Sequence, residues 1–531
     1  MRQHYDEMGS AATMKSIFRL TAIFSLLSAM LITGCQSAGS NGSNQKGDTG
    51  ASSSSPAASQ SSASSQEETL EPVKLKYYFY GAAKPGDEAV YDAMNKILKE
   101  KINTTVEFVK IPSNGDYTQK MTIMVNAQEE FDLAFTSPSY FDYFANAAKG
   151  SFVDITDLLP KYAPQTYAQF KPEIWNAAKV NGKIYASINQ QIFARQSGFV
   201  ISKPLADKYQ FDPTGVTKQS DLLPFLEKVK AGEPADTTDQ LYNAQMKNHV
   251  FSYFYPYYEW ETIGGSDVPG VASSVLDQPK VFNEYDTPEF KEFILTNAEF
   301  QMKGLIAKDA LTRPTFDASK YAASSMATLM PGIEETVKKT YKAEQYIIPL
   351  GDPILTTPNA IATMTAVSAT SKHPERALMV IELLNTDKEL YNLMVWGIEG
   401  VDYEKTGDNR IESLSGSTYG PAPGWMFGNQ FNSFVSGTQP DDVWTQTKEL
   451  NETAKVSKLY GFNFSPDSVK TEIANTSAIV NEYKAAFNTG MYGADTEKIY
   501  AEFLSKLKAA GVDKVLQEKQ KQVDAFVAQK Q

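Results

Sequence analysis

Cysteine is almost absent from this chain. Cys35 is the only one in 531 residues, so no intramolecular disulfide can staple the fold, and stability has to come from a buried core. Histidine is nearly as scarce: His4, His249 and His373 lie in unrelated contexts, and no spacing of His, Cys and Asp suits zinc. No Asp-x-Asp-x-Asp-Gly loop suits calcium, and neither a Gly-x-Ser-x-Gly elbow nor a phosphate loop is present. No metal, cofactor or catalytic set is therefore expected. There is no block of Lys and Arg either. With 50 basic and 63 acidic residues the net charge is −13, which argues against nucleic acid as a partner. No apolar run is long enough, or free enough of Ser and Thr, to read as a membrane span.

What is present begins with the surroundings of Cys35. Lys15 and Arg19 precede the apolar run 20–32, which closes on Leu31-Ile32-Thr33-Gly34-Cys35. A positive region, a short apolar region and small residues at a cut site form a signal peptide, expected at 1–34, with Met14 the better start. A lone Cys directly after Thr-Gly resembles a bacterial lipobox. There the thiol becomes a diacylglyceryl thioether and the chain is cut before Cys35, which would also explain why no other cysteine is needed. The alternative is an ordinary signal peptide followed by a buried free Cys. Removing 1–34 leaves 47 basic and 61 acidic residues, a charge of −14, suited to a soluble body attached to a membrane but not inserted in it. Residues 35–70 then hold the lipidated Cys and a Ser-, Gly-, Ala- and Gln-rich tether with too little apolar surface to fold.

From 72 onward the pattern changes to strands alternating with helices. Strands are expected at 73–81, 104–109 and 131–136, and helices from Asp87 and over 118–127, which indicates a largely parallel sheet. Further on, 295–304 and 321–339 read mainly as helix, with a short strand at 327–330. A helical pair follows at 374–384 and 386–396, with a capping box at Thr386-Asp387-Lys388-Glu389 and a C-cap at Gly397. Two tail helices carry the stripes Ile499, Phe503, Leu504, Leu507 and Val515, Leu516, Val523, Phe526, Val527.

Several of these segments resemble the extracellular solute-binding lipoproteins of ABC importers, carbohydrate-type (family 1), and in particular the LplA/LipO-type group of Bacillus- and Paenibacillus-like bacteria. Phe131-Asp132-Leu133-Ala134-Phe135 with Phe152-Val153-Asp154-Ile155-Thr156-Asp157-Leu158 is similar to the family's third strand and the segment after it. The stretch from Trp175 through Asn181-Gly182-Lys183-Ile184-Tyr185-Ala186 resembles its "GKIYA" motif, and Ser371-Lys372-His373-Pro374-Glu375-Arg376-Ala377 its "PE.A" helix start. Gly397-Ile398-Glu399-Gly400 and Trp425-Met426-Phe427-Gly428-Asn429-Gln430-Phe431 resemble marks of the narrower group, as does 464–525, similar to a small C-terminal domain with no assigned activity. Ser187-Ile188-Asn189 departs from the usual Ile-Pro dipeptide.

The resemblance implies an α/β, two-lobe periplasmic-binding-protein-like fold of type II with a hinge and a small helical C-terminal extension. It places lobe 1 at 71–187 and 346–400, lobe 2 at 188–345 and 401–460, and the C-terminal helical domain at 461–531, packed on lobe 2. It also implies a monomeric receptor on the extracellular face of the cell membrane, anchored by the lipid on Cys35, that passes an oligosaccharide to ABC importer permease subunits.

A sugar is held by aromatic faces and by amide and carboxylate groups bonded to its hydroxyls. Tyr80, Ser137 and Tyr140 qualify by their position at strand ends. Asn189, Gln190 and Gln191 are amides at the first hinge crossing, or else a solvated turn. Trp260, in an aromatic-acidic loop before Gly264-Gly265, and Trp425, before Asn429 and Gln430, are the tryptophans expected to face a ligand, with Asn429 expected to bind beside Trp425; Trp175, Trp396 and Trp444 are expected to pack. Glu259 and Glu261 leave a second reading, a lipid-anchored glycoside hydrolase or lyase. Glycosidase carboxylates, however, face each other across a cleft, usually from different strands, and two residues i and i+2 of one strand do not.

Overall fold

A computed structural model of the protein describes residues 70–244, 250–265, 267–313 and 317–530. The expected signal peptide with Met14, Cys35, the tether up to 69, His4 and His249 lie outside the described residues.

Alternation builds the first sheet. In β1 (Val73–Tyr80) the side chains of Leu75, Tyr77 and Phe79 point inward and are fully buried. Each such side chain stabilises the fold by about 1.5–3 kcal/mol. The chain returns through α1 (Asp87–Ile102), whose Val90, Met94 and Leu98 make one buried stripe, and enters β2 (Thr104–Ile111), parallel to β1. Asn103 ends α1 in the left-handed region, φ 46°, its N–H donating to the Leu98 and Lys99 carbonyls. α2 (Asn114–Asn126) begins four residues before the expected 118 because Ser113 caps it, accepting from the Asp116 N–H. β3 (Leu133–Thr136) pairs parallel with the other side of β1. Asn181 and Gly182, both at positive φ, make the two-residue turn of a small hairpin between Lys179–Val180 and Lys183–Ile184. β4 (Ala186–Ile188) closes this part of the chain.

Residues 189–194 cross to a second sheet. It contains β5 (Arg195–Ser202) and β6 (Tyr242–Asn243). A small antiparallel sheet follows: β7 (Trp260–Thr262), β8 (Val271–Ser273) and β9 (Val281–Phe282). α3 (Pro288–Met302) starts earlier than the expected 295, with Pro288 in its first turn and Thr287 as cap. The strand expected at 327–330 is not formed there; a strand, β10 (Ala323–Met326), lies just before it, and the helix expected from 321 is only α4 (Ile333–Tyr341). β11 (Gln345–Leu355) pairs with β5 from Gln345↔Ser202 to Ile354↔Arg195. The passage back to the first lobe therefore begins after Leu355, and not at 346. It ends in β12 (Met364–Val367), which inserts antiparallel between β3 and β4. The first sheet, in order β2-β1-β3-β12-β4, is thus mixed, not wholly parallel.

α5 (Pro374–Thr386) and α6 (Lys388–Trp396) cover it; the cap of α6 is Asp387, accepting from the Glu389 and Leu390 N–H groups, rather than Thr386. The expected assignment of 401–460 to the second lobe fails for its first half. Tyr419, Ala422, Met426 and Phe427 are buried in the first core, and the Lys110 ammonium, paired with Asp87 at 2.8 Å, also donates to the Gly420 carbonyl. A third crossing follows, through α7 (Val443–Thr453) to β13 (Lys455–Val456), and completes the second sheet in order β13-β11-β5-β10-β6.

The tail holds three helices, α8 (Lys470–Thr489), α9 (Thr496–Ala509) and α10 (Val512–Lys530), the first of which no stripe had indicated. Val480, Tyr483, Phe487, Phe503 and Leu507 join Phe251 and Phe290 in the second core. Two cores joined by three short passages make two lobes. Among the described residues no helix is long and apolar enough to cross a membrane.

Candidate interlobe binding site

Register shows which edge of each sheet meets the other. β1, β3 and β4 run the same way, and Thr136 and Ile188, at the ends of β3 and β4, both pair with Met364, the first residue of β12. Two crossings join the sheet at this edge, and Tyr80 lies on it as the last residue of β1. In the second sheet the crossings attach at Arg195 and Leu355, and Arg195 pairs with Ile354. Ligands in such sheets sit beyond strand ends of this kind.

On the first lobe, three expected ligand residues come together from segments far apart in sequence. The Tyr80 ring lies 5.8 Å from Tyr140 and 6.4 Å from Trp425, and Phe135 packs beneath at 5.6 and 6.2 Å from Tyr80 and Trp425. Tyr80, Tyr140 and Trp425 are half-buried, so part of each ring is available. Burial raises the Tyr80 phenol above its ordinary range, and it stays a neutral donor.

Ser137 has another task. Its buried hydroxyl accepts from the Ser139 and Tyr140 N–H groups at 3.1 and 2.9 Å, so it shapes the turn that presents Tyr140. Asp142, next in this loop, caps a helical turn through the Ala145 N–H. Asp142 is exposed, and desolvation by the surrounding protein raises its pKa.

The amides 189–191 do lie at the first crossing, but they are fastened to protein. Asn189 is buried; its Nδ2 donates to the Met426 carbonyl at 2.7 Å and its Oδ1 accepts from Thr365 at 3.2 Å. Gln191 donates to Thr363 Oγ1 at 3.1 Å, and Asn451 Oδ1 accepts from both the Phe193 and Ala194 N–H groups. Gln190 exchanges main-chain bonds with Gly428 and Gln430, and its Oε1 is buried without a hydrogen-bond partner among the described residues. Asn429 spends its Oδ1 on the Phe431 N–H. Gly428, at φ 37°, is required there: a Cβ would come within 2.2 Å of the Leu384 carbonyl oxygen. These groups knit the three crossings together.

On the second lobe Trp260 sits on β7 with its indole against Tyr258, Phe282, Tyr255 and Phe251, at 4.9–6.2 Å. The same loop instead lines a pocket of about 230 Å³ with Tyr257, Tyr258 and Glu259, closed by Asp352, Ile354 and Lys455. Lys455 pairs with Asp352 at 2.8 Å and Glu259 at 3.5 Å. Beside it, Arg195 is open to solvent while enclosing protein lowers its pKa by desolvation, the same combination as Asp142 on the other lobe. Neither Arg195 nor Asp352 had been singled out: each is an ordinary polar residue until strand pairing brings it to the edge.

Glu259 and Glu261 do not form a catalytic pair. Glu259 occupies a turn at φ 57°, whereas Glu261 is buried, accepting from the Thr357 N–H at 3.3 Å and from the Ser457 hydroxyl, and burial raises its pKa to about 7. Trp175 packs on Tyr167, and Trp396 and Trp444 donate to Ser433. Among the described residues no group of three or more His, Cys, Asp or Glu could hold a metal ion.

The profile described as Domain of unknown function (DUF3502) matches residues 458–528. A carbohydrate ABC transporter substrate-binding protein of Streptococcus pneumoniae serotype 4 is 30% identical over 454 residues, which cover 84% of this chain and 89% of that protein. The crystal structure of the N-glycan transport solute binding protein NgtS from Streptococcus pneumoniae superposes with a TM-score of 0.76 at 29% identity, over 87% of this chain and all of that one. Its complex with Man5GlcNAc gives a TM-score of 0.70 at 28% identity, again over 87% of this chain and all of that one.

Proposed function

Since the chain belongs to the carbohydrate ABC transporter substrate-binding proteins, we propose that it captures an oligosaccharide outside the cell and delivers it to the permease of an ABC importer by closure of its two lobes. The observation that carries this reading is the trio Tyr80, Tyr140 and Trp425, half-exposed rings assembled at the edge of the first lobe that meets the second. Half-exposed rings of this kind take the apolar face of a pyranose, while Arg195 and Asp142 supply donors and acceptors for its hydroxyls. Closure then adds contacts from both lobes, and affinity is set by what the closed state gains over the open one. The likeness to a protein crystallised with mannose-containing glycans makes fragments of N-glycans the first class to try.

The lipid on Cys35 would hold the protein at the outer face of the membrane, with the tether giving reach and the LplA/LipO-type lipoproteins as its narrower group. No observation favours the hydrolase reading, because Glu261 is committed inside the second lobe and hinge. Calorimetry with Man1GlcNAc and Man5GlcNAc, followed by mass analysis of the recovered glycan, tests the proposal. Saturable binding with the glycan intact and a melting temperature that rises with concentration is expected. Shortened product, or no binding by these or a wider glycan panel, would overturn it.

A further inference from the structure

The C-terminal helices pack into the second core, with α8 and α9 against α3, and their remaining contacts reach two further places: the β7–β8–β9 sheet and the crossings between the lobes. One face of that sheet sets the half-buried Trp260 against the second core. The other carries Ile263, Ala272 and Val281, which pack with Leu459 and with Val523 of α10. α10 also grips the connections between these strands. The buried Lys519 ammonium donates to the carbonyls of Val268, Pro269 and Gly270 at 3.1, 2.7 and 3.2 Å, while Glu284 accepts the Gly270 N–H at 2.7 Å. Gln520 accepts from the Val281 N–H and donates to the Pro279 carbonyl, and Lys484 of α8 pairs with Asp267 at 3.1 Å.

From the face covered by the tail, Glu261 reaches the hinge. Its carboxylate takes the Thr357 N–H, in the second crossing, and the Ser457 hydroxyl, just after the third. The same Ser457 hydroxyl accepts from the Leu459 N–H, and Thr357 Oγ1 accepts from the Gly461 N–H at 2.8 Å. At the far end of α10, Lys530 donates to the Lys458 and Tyr460 carbonyls. One buried side chain therefore bonds the small sheet to the second interlobe passage and to the residue at which the third has just ended, and the tail packs beside that junction.

We propose that the C-terminal helices are a hinge brace, with Glu261 as the positioning residue through which the β7–β8–β9 sheet fixes two interlobe crossings and so sets the balance between open and closed lobes. The brace is a property of the fold, and only its effect on affinity rests on the oligosaccharide-binding reading.

The test separates the two. Nitroxide labels at Lys149→Cys and Lys308→Cys, exposed on the first and second lobes, report the interlobe distance distribution without any glycan, on a Cys35→Ser background. Glu261→Ala should broaden that distribution, and Lys519→Met should do the same from the tail. Glu261→Gln, which can still accept from Thr357 and bond Ser457, should restore the parent distribution. Should Glu261→Ala not fold, Ser457→Ala removes only the hydroxyl arm and should broaden the distribution less. Man5GlcNAc affinity should fall about tenfold in Glu261→Ala and stay near the parent value in Glu261→Gln. An unchanged distance distribution in folded Glu261→Ala or Ser457→Ala, even with a lowered melting temperature, would reduce the tail to simple packing and overturn the brace. Altered distances with no Man5GlcNAc binding by the parent chain would uphold the brace and count against the ligand class instead.

Discussion

The edge of the first lobe and the small sheet of the second each present a tryptophan near glycine and acidic or amide neighbours, and they use it in opposite ways. Trp425 meets Tyr80 and Phe135, which arrive from strands more than 280 residues earlier in the chain, and it stays half-open at the junction where those segments end. Among the described residues the rings against Trp260 come from its own stretch, residues 251–282, at 4.9–6.2 Å, and it too is half-buried. A ring assembled from distant segments at a sheet edge leaves a face for something else. A ring set among its sequence neighbours gives more of itself to packing. Both rings are half-buried, so the origin of their neighbours sets them apart, and not buried area or the chemistry of the side chain.

The largest effect that would break this contrast concerns stability. Trp260→Ala should lower the unfolding free energy by up to about 3 kcal/mol, the ring being half-buried in its cluster, while glycan affinity stays within about threefold. Denaturant melts and calorimetry on the same sample would show it. A large affinity loss with little destabilisation would place Trp260 in the site after all.

Next in size is the other side of the same strand. Burial lifts the Glu261 carboxyl from 4.5 to about 7, so the folded protein keeps a proton there that the unfolded chain has released. The stability this provides is complete below pH 4.5 and is lost as pH rises through 7. Glu261→Gln should remove that loss and be up to about 3 kcal/mol more stable than the parent above pH 8, with no gain below pH 4.5. Melting temperatures across pH 4–9 would reveal an unaltered profile if the group titrates normally.

Smaller effects sharpen the first-lobe side. Trp425→Ala should weaken glycan binding about tenfold while costing less stability than Trp260→Ala. Tyr140→Phe keeps the ring and removes one hydroxyl, so a loss of about threefold is expected. If Tyr140→Phe and Trp425→Ala both left calorimetric affinity at the parent value, the aromatic edge would be ordinary surface.

Much of the first lobe was legible because its strands alternate cleanly and its helices carry single stripes, as in β1 and α1. The second lobe was harder. β6, β7 and β9 are two or three residues long, too short for a period, and α8 carries apolar residues too scattered for a stripe. Tyr80, Tyr140 and Trp425 could be nominated by strand ends and composition. The fate of Asn189 could not, since its partners Met426 and Thr365 stand 237 and 176 residues away. Arg195 gave no signal, because its place at the edge of the second sheet depends on its pairing with Ile354.

The position of β12 has a consequence for how the molecule comes into being. It lies between β3 and β4, so the first sheet has a gap next to its edge strand β4 until residues 364–367 arrive. A chain emerging from a ribosome or a translocon N-terminus first would have to release the whole second sheet up to β11 before the first lobe can finish. Pairings of such long sequence separation are slow and leave strand edges open meanwhile. Newly emerged chains of this protein are therefore exposed to misassembly for as long as it takes to complete the second lobe, and a chaperone that shields β3 during that interval would raise the yield of folded protein more than one acting on the finished domain.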